Sequence, residues 1–148
     1  IAHDCRLGDH VTFANGATLA GHCQLGDHIF IAGVSAVHQF TRIGSGAFVG
    51  GMTGIRGDVI PYGLAEGRPG RLVGINAVGM RRRGFKADAL AAARKAYLML
   101  FRAGGSLEER IAATDEAFGT QPVVREILDF IRARGKRALC RAGGPDEW

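Results

Sequence analysis

The chain has 148 residues, with 19 Lys and Arg against 14 Asp and Glu and a formal net charge of +5. That length supports one ordinary core or two small ones, and no apolar run approaches the ~18 residues a membrane span needs, so no integral membrane segment is expected. The three cysteines, Cys5, Cys23 and Cys140, have no C-x-x-C spacing and read as free thiols in a reducing compartment.

The chain opens on "IAHDCRLG", without methionine or a charged-then-apolar leader, and these residues already lie inside a repeat. A piece of a longer protein is therefore expected. "LGDHVTFAN" from Leu7 returns 18 residues later as "LGDHIFIAG" from Leu25. In steps of six the chain reads Ile1, Leu7, Phe13, Leu19, Leu25, Ile31, Val37, Ile43, Val49 and Ile55, all apolar. Each is followed by Ala or Gly except at His38 and Arg56. A period of six fits neither a helix of 3.6 residues per turn nor simple strand alternation. It fits a hexapeptide parallel β-helix, in which each hexapeptide forms one side of a triangular prism and 18 residues make one coil. The aliphatic residue points inward, small neighbours let the chain turn, and glycine takes the positive φ of some corners. Residues i and i+18 then stack about 4.8 Å apart, which sets Cys5 beside Cys23 as small core thiols.

The repeat is expected over 1–56. Around "GDVIPYG" it ends, with Pro61 lacking a ladder donor and Gly57, Gly63, Gly67 and Gly70 punctuating the exit. Residues 57–84 read as an irregular connection. A helical part over 85–148 follows. "ADALAAARKAYLMLFR" carries an apolar face of Leu90, Ala93, Tyr97, Leu100 and Phe101. Ser106 and Glu109 form a capping-box pattern. Pro122 opens a third helix that ends in cations, and "AGGPDEW" reads as a loose tail. Lys and Arg balance Asp and Glu over residues 1–80, so the whole net charge lies in the C-terminal part. Such a surface attracts acidic partners. Arg81–Arg83 have no aromatic residue interleaved to suit nucleic acid.

Five histidines punctuate the repeat. His10 and His28 share one phase and read as exposed stacked residues beside Asp9 and Asp27. His3, His22 and His38 fall within one residue of a common phase and so converge on one corner of three successive coils. Histidine serves as a base near neutral pH. Asp4 follows His3 and can orient its ring, while Gly21 precedes His22 and offers a bare N–H to an oxyanion. That set suits acyl transfer; zinc is the competing use of three histidines.

"IAHDC", "ATLAGH", "AVHQF", "VGGMTGI", "DVIPYGLAEG" and "GINAVGMRRRGF" together resemble the UDP-N-acetylglucosamine acyltransferase family over nearly the whole chain. The resemblance implies a left-handed β-helix followed by a small helical bundle, assembled as a cytoplasmic homotrimer with sites between subunits. It implies transfer of an (R)-3-hydroxyacyl group from acyl carrier protein to the 3-hydroxyl of UDP-N-acetylglucosamine, the first step of lipid A synthesis, without cofactor or metal. By resemblance His3 is the general base, Asp4 its carboxylate and Gly21 the oxyanion donor. His22, His38, Gln39, Asn76, Arg82 and Arg83 match substrate-binding positions, and Gly51 the position where bulk limits acyl length. Pro69 stands where the relatives often carry histidine. Three other readings compete: a zinc hydratase like the γ-class carbonic anhydrases, whose histidine pair five residues apart is missing here; a sugar-nucleotide N-acyltransferase; and an inactive module that only binds acyl carrier protein.

Overall fold

The computed structural model describes residues 1–143. Nine two-residue strands occupy the repeat: β1 (Arg6–Leu7), β2 (Thr12–Phe13), β3 (Thr18–Leu19), β4 (Gln24–Leu25), β5 (Phe30–Ile31), β6 (Ala36–Val37), β7 (Arg42–Ile43), β8 (Phe48–Val49) and β9 (Gly54–Ile55). They pair in parallel as β1-β4-β7, β2-β5-β8 and β3-β6-β9, with Leu7 beside Leu25, Phe13 beside Ile31 and Leu19 beside Val37. The 18-residue offset therefore is the register, and the three sheets are the walls of a left-handed prism. Leu19, Leu25, Ile31, Val37, Ile43, Val49 and Ile55 fill its interior and are almost wholly buried, whereas Ile1 and Leu7 at the open first coil are exposed.

Positive φ at the corners falls mainly on residues other than glycine: Asp4, His10, His22, His28, Val34, Phe40, Met52 and Tyr62 lie between 55° and 63°. Each such residue costs roughly 1–2 kcal/mol. Stacking offsets this cost, because a corner N–H bonds the corner carbonyl of the coil before, as in His22 N–H to His3 O at 3.0 Å and Phe40 N–H to Gly21 O at 3.1 Å. The small residue after each aliphatic has a different job. At Gly44 a Cβ would sit 2.3 Å from Pro61 N on the next coil, so the spacing of the coils forbids one.

Residues 57–84 differ from the expected irregular connection. Val59 bridges Ile43, and β10 (Gly63–Glu66) continues the second wall by pairing in parallel with β8, Ala65 against Val49. Both Val59 and Ala65 are fully buried. This coil is two residues shorter than its predecessors, which hides it from a strict step of six. β11 (Arg71–Ile75) returns antiparallel to β10, and the short α1 (Ala77–Arg82) follows.

Three longer helices follow among the described residues: α2 (Ala87–Phe101), α3 (Leu107–Phe118) and α4 (Pro122–Arg132). The Ser106 hydroxyl accepts from Glu109 N–H at 3.1 Å and caps α3, and Pro122 stands in the first turn of α4. α4 docks on the first wall through Arg42, whose guanidinium donates to Phe130 O at 2.8 Å and lies 3.9 Å above the Phe130 ring. Buried Asp58 faces Arg42 at 3.6 Å and Arg137 at 3.2 Å. The last described residues are not loose. Leu139 bridges Asp58, Ala142 bridges Leu72 and Gly143 N–H bonds Leu72 O; the rest of the expected tail, 144–148, lies outside the described residues. All three thiols are free.

Candidate active site

The corner between the third and first walls carries residues 3–4, 21–22 and 39–40 of successive coils. His3 Nδ1 lies 2.8 Å from Asp4 Oδ2, and His22 Nε2 lies 3.9 Å from the same oxygen. The His3 hydrogen bond, and next the charge on His22 when protonated, hold the Asp4 carboxyl below its ordinary value of 3.8. Ionised Asp4 can only accept, so Nδ1 carries a proton, and in the neutral ring Nε2 then keeps its lone pair. The two imidazoles meet edge to face, centroids 5.0 Å apart.

Gly21 lies directly under the His3 ring. A Cβ there would come 2.7 Å from His3 Cε1 and 2.9 Å from Nε2. Among the described residues no hydrogen bond is found for the Gly21 N–H. The unbonded amide of buried Gly21 therefore lies beneath the exposed ring of His3 at one edge of the prism. His38 stands on this edge one residue ahead of the turn, its Nδ1 3.2 Å from Gln39 O, and Gln39 occupies the turn itself.

Phe40 was not singled out in the sequence. Its ring stacks on His22 at 4.8 Å and 7°, leaving His22 clamped between Phe40 and His3. The signal is in the sequence: residues 4, 22 and 40 share one phase of the 18-residue frame.

The remaining candidates stand on other corners. Asn76 caps α1, accepting from Gly79 N–H at 3.0 Å, and donates to Gly46 O at 3.0 Å. This ties it to the corner between the first and second walls. Arg83 is at the same corner: a Cβ on Gly46 would meet its guanidinium at 3.1 Å. Asn76, Arg82 and Arg83 line a cleft of about 640 Å³ whose floor is the stacked pair Phe30 and Phe48, 5.1 Å apart, with His10 and His28 at its edge. Gly51 is at the third corner, where only Gly33 O lies near an added Cβ, at 3.7 Å. One chain thus gathers His3, Asp4, Gly21 and His22, with His38 and Gln39 beside them, and holds Asn76, Arg82, Arg83 and Gly51 apart.

A left-handed parallel β-helix with an imidazole–carboxylate corner and a helical C-terminal part defines the class: hexapeptide-repeat transferases. Residues 58–140 match the family described as UDP N-acetylglucosamine O-acyltransferase, domain 2. The chain belongs to the UDP-N-acetylglucosamine O-acyltransferase family. It is 56% identical over 140 residues to the acyl-[acyl-carrier-protein]–UDP-N-acetylglucosamine O-acyltransferase of Caulobacter vibrioides, covering 95% of this chain and 53% of that protein. The Sinorhizobium fredii enzyme of the same name is 45% identical over 139 residues, 94% of this chain and 52% of its own. Among solved structures, Arabidopsis UDP-N-acetylglucosamine acyltransferase superposes with a TM-score of 0.87 at 37% identity, covering 93% of this chain and 51% of that one. The Bacteroides fragilis UDP-N-acetylglucosamine acyltransferase gives 0.89 at 28% identity, with 93% and 54% covered. The chain therefore spans about half the length of the curated relatives it matches.

Proposed function

We propose that this chain carries the catalytic corner of an O-acyltransferase that moves an (R)-3-hydroxyacyl group from acyl carrier protein to the 3-hydroxyl of UDP-N-acetylglucosamine, opening lipid A synthesis in the cytoplasm. The observation that carries the reading is the free Nε2 of His3, oriented through Nδ1 by Asp4 above the unbonded N–H of Gly21.

His3 Nε2 takes the sugar hydroxyl proton as that oxygen bonds to the thioester carbonyl carbon. The carbonyl oxygen becomes an oxyanion, which Gly21 N–H steadies. On collapse the carbon–sulfur bond breaks, the new ester remains, and the carrier thiolate recovers the proton from His3. Base help is worth roughly 10²–10⁴-fold, and loss of one oxyanion donor costs about 10²–10³-fold. His22, His38 and Gln39 contact the sugar nucleotide or acyl donor. Asn76 supplies amide hydrogen bonds, and Arg82 and Arg83 suit a diphosphate. The basic helical part steers the acidic carrier protein. Bare Gly51 admits a longer acyl chain.

Geometry favours a homotrimer. α4 covers the first wall, which leaves the second and third walls, joined at the Gly51 corner, for neighbours. Threefold rotation about an axis beside that corner packs the second wall of one copy on the third wall of the next. His3 of one copy then faces Asn76, Arg82 and Arg83 of another.

The test is to supply acyl carrier thioester and UDP-N-acetylglucosamine to the protein, then to mixtures of its variants. His3→Ala and Arg82→Ala are each expected to lose product, and co-refolding the two to regain part of it through mixed sites. Activity untouched in His3→Ala refutes the chemistry. Absence of complementation refutes the shared site.

A further inference from the structure

We propose that the His3–Asp4–His22 corner is also a binding site for a divalent transition metal of the Zn²⁺ or Co²⁺ type, and that metal occupancy shuts off the base. One ligand atom from each residue, two imidazole nitrogens and a carboxylate oxygen, lies within 4.8 Å of the others. Taken as His3 Nδ1, His22 Nε2 and Asp4 Oδ2, the spacings to the carboxylate are 2.8 Å and 3.9 Å. A tetrahedral ion with bonds of about 2.0–2.2 Å spaces its ligands by roughly 3.3–3.5 Å. These two values straddle that span, the third spacing lies within 4.8 Å, and all three side chains reach solvent.

Two features make this a built arrangement. Asp4 and His22 occupy the same turn position on successive coils, with φ of 59° and 61°, so their side chains leave the corner in the same direction. The His22 ring is also clamped by Phe40 on its face and by His3 at its edge. The other exposed histidine pair shares the turn position, with φ of 57° and 55°, but offers no comparable ligand set. His10 and His28 stack face to face at 4.7 Å and 15°, and Asp27 is committed to Asp9 N–H at 2.7 Å. Two nitrogens and one oxygen favour a borderline ion over Mg²⁺ or Ca²⁺, which demand oxygen cages.

The consequence for catalysis follows from the tautomer, and this half rests on the reading of His3 as base. A metal on Nδ1 displaces the proton that this nitrogen donates to Asp4. That proton moves through solvent to Nε2, where it occupies the lone pair needed to accept from the sugar hydroxyl. The metal-bound ring is an N–H donor and no longer a base. Zn²⁺ would thus be a reversible inhibitor whose removal restores the catalytic tautomer.

The experiment titrates chelator-treated, full-length protein with Co²⁺, reading visible d–d absorption, and with Zn²⁺, reading calorimetry and acyl transfer. One metal per chain is expected. Loss of an outer-shell partner already costs about 10–100-fold in affinity, so Asp4→Asn and, separately, His22→Gln are expected to weaken binding by at least that much. The double variant His10→Ala, His28→Ala is expected to keep it. Absence of binding, binding unchanged in both corner variants, or binding lost with His10 and His28 each overturns the site. Stoichiometric binding at the corner with acyl transfer undiminished keeps the metal site and overturns the assignment of His3 as base.

Discussion

Replacing Gly21 with alanine separates the seat of His3 from the stability of the prism. The new methyl would lie 2.7 Å from His3 Cε1, while ordinary contact begins at 3.4 Å. The exposed imidazole must therefore swing by about 0.7 Å or more, or leave its rotamer. Gly21 has no positive φ, so alanine costs the backbone nothing and narrows the unfolded ensemble, a gain of about 0.4–1 kcal/mol. The Gly21 N–H also survives. Chemistry and stability are thus expected to part company: a thermal midpoint held or slightly raised, and acyl transfer lowered about 10²-fold, the usual penalty for a displacement approaching 1 Å. A readout that does not depend on turnover is Asp4 itself. With His3 displaced, its carboxyl should titrate closer to the ordinary value, followed by carboxyl ¹³C chemical shifts. A Gly21→Ala protein that turns over at the parental rate, with Asp4 titrating as before, would refute the reasoning.

Phe40→Ala removes the stacking partner of His22 and is expected to cost about 0.5–1.5 kcal/mol, checked by denaturant melts, with the His22 ring resonances shifting more than those of His28. Arg42→Met leaves buried Asp58 with Arg137 alone among its cationic partners and is expected to cost about 3 kcal/mol, the lower end for a broken buried pair; chemical unfolding measures it. Asp4 is held below the ordinary carboxylate range by His3 and His22, and Asp115 by hydrogen bonds from Arg132 and Arg125. The stability these carboxylates add is complete above their unfolded pKa and is lost as pH falls through the folded one. The thermal midpoint should therefore drop below about pH 4, less steeply in Asp4→Asn. Burial raises the Cys23 thiol and pushes Cys140 up to about 11, so a thiol reagent at neutral pH should modify half-buried Cys5 first and the other two only on unfolding.

Most of the prism was legible because its period is a local property. Inward Leu19 to Ile55 at every sixth residue, small residues after them and the 18-residue echo all follow from one coil geometry, and the structure keeps that register without a slip. The same frame put His3, His22 and His38 on one corner, with Asp4 and Gly21 as their chain neighbours. It failed where the geometry changed: the coil through Val59 and Ala65 is two residues shorter, so β10 looked like the end of the repeat. Glycine was also expected at the turns, yet histidine, aspartate, valine and phenylalanine take most of the positive φ values there, because hydrogen bonds between coils offset a cost that a single sequence does not display.

Sequence by itself determined which residues face inward and which share a ridge, since a fixed number of residues per coil converts position directly into angle. Only the tertiary structure decided what lies across from what: the Phe40 ring on His22, the His3 ring over Gly21, and Asn76 and Arg83 anchored at Gly46, on a different corner from the base. Those contacts depend on side-chain direction and on how the chain folds back after the prism, and neither is encoded in a period.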